Sequence, residues 1–93
     1  MAILHIIAKH LDSSALTRLI ARSDANDGYA FIDDGVYVQL SKQLAAVGGR
    51  PIYVLEGHAE ERGLTKVNTD CVEFIDMAGL VRLTTRYTSS MSW

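Results

Sequence analysis

Four short apolar runs alternate along the chain with four segments of helical character. Residues 3–8 are apolar almost throughout, broken only by His5, which suits a strand buried on both faces. Residues 29–32 form a second such run, 52–55 a third and 71–75 a weaker fourth, and Pro51 sits where a strand tolerates it, at the start of the third. Between them, Asp12 or Ser13 can cap a first helix, with Leu11 and Leu16 as a hydrophobic staple around Asp12 and Leu16, Leu19 and Ile20 as the apolar face. Val36, Leu40, Leu44 and Val47 recur at helical spacing in a second, which Gly48-Gly49 stops. Residues 58–62 make a short third helix ending at Gly63. A fourth follows Asp76 as cap, with Ile75 and Leu80 as staple and Leu80, Val81 and Thr84 turned inward.

Strand–helix alternation with connections too long for hairpins predicts parallel strands and right-handed crossovers. The expectation is a small three-layer α/β/α domain spanning residues 1–93, with an open, mainly parallel sheet of four or so strands. The end of the chain turns polar and rich in hydroxyls, then closes on Met91-Ser92-Trp93. A terminal Trp can fray, but Trp is enriched at contacts that matter, so docking of this tail within the fold or on a partner is expected.

Composition restricts the possible functions. The chain has 93 residues, nine Lys and Arg against eleven Asp and Glu, and a net charge of −2. No basic stripe interleaved with aromatics is present, so direct nucleic-acid binding is not expected. The longest apolar run, residues 2–8, falls far short of the ~20 residues of a membrane span. The start lacks a signal-peptide pattern, and the one cysteine, Cys71, allows no intramolecular disulfide or cysteine-cluster zinc site. A cytoplasmic protein with a reduced thiol is expected. A chain this short buries roughly 60–70% of the surface it exposes unfolded, a modest core that favours self-association or a partner subunit.

In an open parallel sheet, ligands bind beyond the carboxyl ends of the strands. Here that edge collects Lys9, His10 and Asp12, then Asp33 and Asp34, then Glu56 and His58, then Asp76. The acids complement helix starts themselves and would repel a phosphate, and no dinucleotide fingerprint or phosphate loop is present. The same acids and histidines could hold a divalent metal if they converged. Otherwise Asp12, Asp34 and Asp76 are caps, and His10 and His58 are surface loop residues. A response-regulator receiver is excluded, because the acidic pair follows the wrong strand and Glu56 stands where the acceptor Asp would be. His5, inside a strand, reads as a core or interface residue with one nitrogen satisfied. Cys71, beside Asp70 and near Glu73, lacks the cationic neighbour that activates a thiol and reads as structural.

Taken in order, Ile3-Leu4-His5, Asp34-Gly35-Val36-Tyr37, Tyr53-Val54-Leu55, Arg62-Gly63-Leu64, Ile75-Asp76, Val81-Arg82-Leu83-Thr84 and the Met91-Ser92-Trp93 ending resemble the TusB/DsrH family of sulfur-relay subunits. The resemblance implies an α/β/α fold and assembly with DsrE/TusD-type and DsrF/TusC-type subunits into a heterohexamer with two copies of each. Such a complex takes persulfide sulfur from one carrier protein and passes it to another, for 2-thiouridine at the tRNA wobble position in one branch and for sulfur oxidation in the other. It implies no cofactor and no metal. His5, Asp34, Gly35, Tyr37, Arg62, Gly63, Asp76, Arg82 and Trp93 are the motif or interface candidates.

The departures from the family pattern bear on chemistry. DsrH-type members that carry a cysteine have it in the first helix, where residues 15–21 contain none, and the acceptor cysteine of DsrE/TusD-type subunits ends the third strand, where this chain has Leu55-Glu56. Cys71 matches neither place, so no catalytic cysteine is carried over. The expectation is a non-catalytic subunit serving the tRNA branch. The alternatives are a DsrH-type subunit serving intracellular sulfur oxidation, a stand-alone sulfurtransferase using Cys71, and a homo-oligomeric ligand- or metal-binding module using the acidic edge.

Overall fold

The computed structural model describes residues 2–40, 50–66 and 72–93. Cys71, Leu44, Val47 and Gly48-Gly49, singled out above, lie outside the described residues.

Strands β1 (Ile3–Ile7), β2 (Gly28–Phe31), β3 (Ile52–Leu55), β4 (Glu73–Ile75) and β5 (Ser89–Ser92) form one sheet in the order β4-β3-β2-β1-β5, every pairing parallel. Helix α1 (Ser13–Arg22), a 3₁₀ segment (Asp33–Leu40) and helix α2 (Glu56–Glu61) lie on one face, and helix α3 (Met77–Arg86) covers the other. Right-handed crossovers dictate this split. The chain steps from β1 to β4 in one direction with α1, the 3₁₀ segment and α2 on one face, then α3 returns it across the opposite face to β5, beside β1. Alternating side chains serve the two layers. Ile7, Tyr29, Phe31, Ile52 and Val54 pack under Leu16, Leu19 and Val36, while Leu4 and Ala30 meet Leu83 and Leu80 of α3.

The caps form as their sequence predicts. The Asp12 carboxylate accepts from the Ala15 N–H at 2.8 Å and that of Asp76 from the Gly79 N–H at 2.7 Å. Each satisfies an orphan donor of a first turn. Leu11 and Ile75 sit at the staple positions and pack on the two clusters.

Helix α2 begins two residues earlier than expected and ends as predicted. The Leu64 N–H donates to the Ala59 carbonyl and the Gly63 N–H to that of Glu60, both at 3.0 Å, with Gly63 at φ +68°. This is a Schellman ending, which needs the left-handed conformation glycine adopts without strain. Gly63→Ala is expected to cost about 1 kcal/mol in chemical denaturation, through backbone strain alone, since nothing lies near its Cβ position.

Three expectations are corrected. Val81 is 59% exposed and Thr84 is exposed, and the inward positions of α3 are Gly79, Leu80 and Leu83. Among the described elements α3 is the one helix on its face, and only a narrow stripe of it touches the sheet. The segment after β2 is 3₁₀ through Leu40, which is exposed. Its tighter winding moves Leu40 off the face it would share with Val36 in an α-helix. The polar tail is a fifth strand. Its residues carry no apolar alternation because all four are exposed, and pairing with β1 alone orders them.

Candidate functional site

Two clusters are built on the sheet. The first is built around His5, which is 5% exposed. Its ring stacks on Tyr29 of the neighbouring strand, centroids 5.4 Å apart, and the Tyr29 hydroxyl accepts from Arg50 at 2.8 Å. The Trp93 Nε1–H donates to His5 Nδ1 at 3.1 Å, and the Trp93 backbone N–H donates to the Ile6 carbonyl at 2.8 Å. An indole N–H can only donate. Nδ1 is therefore unprotonated, the proton sits on Nε2, and it is directed to Asp27 Oδ2 at 2.8 Å. Both ring nitrogens are engaged, not one.

Asp27, 2% exposed, stands just before β2 and accepts from three donors. Oδ2 takes the His5 Nε2–H and the Asp24 N–H (3.2 Å), and Oδ1 takes the Ile3 N–H (2.9 Å). Burial pushes its carboxyl up, but the bonds from His5, Ile3 and Asp24 outweigh that and hold it below the ordinary range. The result is an ionised carboxylate against a neutral imidazole, which ties β1, β2 and β5 together. No local pattern pointed to Asp27. Its only sequence signal is a turn-type residue before a buried strand, and two of its three partners lie 22 and 24 positions away.

The second cluster is at the carboxyl edge. Asp33 holds a left-handed conformation, φ +48°, which Asp tolerates better than most residues. Its N–H donates to His58 Nδ1 at 2.8 Å. Arg62 Nε donates to Asp34 at 3.0 Å and its guanidinium also to the His58 carbonyl at 3.1 Å. His58 is thus a helical residue that pins the turn after β2, and Asp34 is an ion-pair partner, not a cap. Gly35 lies directly on β1, where a Cβ would come within 2.2 Å of the Ile7 carbonyl oxygen. Tyr37 sets its ring 5.7 Å from that of His10. The sequence motif Asp34-Gly35-Val36-Tyr37 and the motif Arg62-Gly63-Leu64 therefore meet in one junction between the 3₁₀ segment and α2.

The remaining candidates stand apart. Asp76 caps α3, and Arg82 lines a cavity of about 420 Å³ on the α3 face with Glu56, Glu73 and Arg86. Near the other edge, burial and a hydrogen bond with Tyr53 push the Tyr87 phenol up to about 12. No three of the described His, Asp and Glu side chains come together as a metal-ligand set. No helix among the described residues is long and apolar enough to cross a membrane.

A parallel sheet with described helical segments on both faces defines a small α/β/α sandwich. The crystal structure of the ychN protein from E. coli shares this fold at a TM-score of 0.71 and 16% identity, over 99% of this chain and 97% of that one. Residues 10–90 match the model of the family described as DsrH like protein. The chain is also 33% identical over 90 residues to Protein TusB of Salmonella enteritidis PT4 and of Salmonella typhimurium LT2, covering 92% of each partner in the comparison. It belongs to the TusB/DsrH family, the family of sulfur-relay subunits that its ordered motifs resemble.

Proposed function

We propose that this protein is a non-catalytic subunit of a cytoplasmic sulfur-relay complex, a single domain over its 93 residues. It assembles with DsrE/TusD-type and DsrF/TusC-type subunits, which receive and hand on the persulfide. The observation that carries this reading is the β3–α2 junction. In a chain of this family the strand end where the related subunits present a thiol is here Leu55 followed by Glu56, with Leu55 buried. The first helix, α1, supplies no thiol either.

The motif residues support a shaping role. The Arg62–Asp34 and His58–Asp33 contacts lock the turn after β2 to α2, and the His5–Asp27–Trp93 cluster locks β1 to β2 and β5, so the chain can offer rigid surfaces to its neighbours. The tRNA branch, ending in wobble 2-thiouridine, fits the TusB relatives and the thiol-free first helix. The test is exposure of the assembled complex to a persulfide donor, followed by intact mass of each subunit. The expected result is a gain of one sulfur atom on the DsrE/TusD-type subunit and none on this chain. A gain on Cys71 of this chain would make it a sulfurtransferase in its own right and overturn the reading.

A further inference from the structure

β5 ends the sheet on the β1 side, so one row of its backbone N–H and C=O groups has no strand beside it among the described residues. Edge strands are ordinarily guarded by charge or proline. Ser89, Ser90, Met91 and Ser92 provide neither, and all four are exposed. Two cavities flank this edge, about 180 and 560 Å³, and meet at Leu19, Arg22 and Trp93. The smaller is lined by Lys9, Arg18 and Arg22, none of which has a carboxylate at ion-pair distance among the described residues. In a chain of net charge −2, three uncompensated cations are gathered at one cleft. The acids of the larger cavity are already engaged, Asp27 by its three donors and Asp24 by the Asn26 N–H. Trp93 remains 43% exposed and Met91 46% exposed.

We propose that this cleft docks an extended, acidic segment of a partner subunit, which adds to the sheet beside β5. Its backbone pairs with the open row of β5 groups, its carboxylates meet Lys9, Arg18 and Arg22, and an apolar side chain rests on Trp93 and Met91. Main-chain pairing supplies affinity in strand addition and the side-chain pockets supply specificity. A half-exposed Trp beside a cavity is the kind of anchor on which binding energy concentrates. A nucleic acid would use the three cations but not the open strand edge, and Asp24 and Asp27 at the other end of the cleft would oppose its phosphates. The inference rests on the relay reading for the existence of the partner, and names the face it meets.

Hydrogen exchange of the chain alone and in the co-expressed complex tests the surface. Amides of residues 89–92 are expected to exchange about tenfold or more slowly in the complex, and the double variant Arg18→Glu, Arg22→Glu, on exposed positions that leave the fold intact, to associate roughly tenfold more weakly. A complex that forms with β5 exchange unchanged, or that binds the double variant equally well, overturns this surface while leaving the relay reading standing. Failure of any complex to form contradicts the relay reading instead. The cleft is then judged with a synthetic peptide of alternating Glu and Val, expected to bind the wild-type chain and not the double variant. A peptide of alternating Lys and Val that binds as well, or a single-stranded RNA that binds where the acidic peptide does not, overturns the proposal.

Discussion

Asp27→Ala is expected to lower the stability of the fold by about 3 kcal/mol. The carboxylate serves His5, Ile3 and Asp24 at once, and its loss leaves their buried or half-buried N–H groups without an acceptor. At roughly 4–8 °C per kcal/mol for a domain this small, the melting temperature falls by about 15 °C. Asp27→Asn keeps the shape but turns one donor toward donors. If its oxygen takes the His5 proton, its amide faces the Ile3 N–H, so a loss of about half as much follows. The effect also has a pH signature. The native carboxyl is held below its unfolded value of 3.8. Its stabilisation is therefore complete above that value and is lost as pH falls through the lower native one. Thermal melts of wild type and Asp27→Ala taken through this acid range should converge. A gap constant down to the lowest pH would show that the Asp27 carboxyl titrates alike in the folded and unfolded chain, and would contradict this account.

Gly35→Ala is expected to cost a further about 3 kcal/mol, by a different route. The added Cβ would stand 2.2 Å from the oxygen of Ile7 and 3.1 Å from its carbonyl carbon. Both are backbone atoms of a central strand, and that oxygen already accepts from the Ile32 N–H at 2.9 Å, so neither can yield cheaply. The 3₁₀ segment must lift, which pulls Val36 and Val38 from the core and Asp34 from Arg62. Urea denaturation measures the loss, and hydrogen exchange localises it to residues 33–40. A variant as stable as wild type would mean the segment does not press on β1.

These two residues also show what was legible in the sequence. Gly35 stood out within a motif, but its reason, contact with a carbonyl 28 positions earlier, is a property of the folded backbone. Asp27 did not stand out, because a carboxylate that completes a cluster by long-range contacts leaves no local periodicity. β1, β2 and β3 were readable as continuous apolar runs because both faces of a central parallel strand are buried, and α1 and α3 were readable from cap and staple spacing. β5 was not, since an exposed edge strand of serines is ordered by its neighbour and not by its own pattern. Val81 lies on the outer side of α3, because this helix buries a narrower stripe, Gly79, Leu80 and Leu83, than the spacing rule assumes. Among the motif candidates, Asp34 and Arg62 proved to be one ion pair and His5 and Trp93 one hydrogen bond. Four isolated letters thus became two contacts between distant segments.

Both contacts fix surfaces and neither activates a nucleophile, which is what a shaping subunit requires. The claim that this chain works only inside a larger assembly is tested most directly by its mass in company. Native mass spectrometry of the protein co-expressed with its DsrE/TusD-type and DsrF/TusC-type partners should find one species containing two copies of each subunit. A chain that stays alone, or pairs only with itself, in the presence of both partners would contradict it.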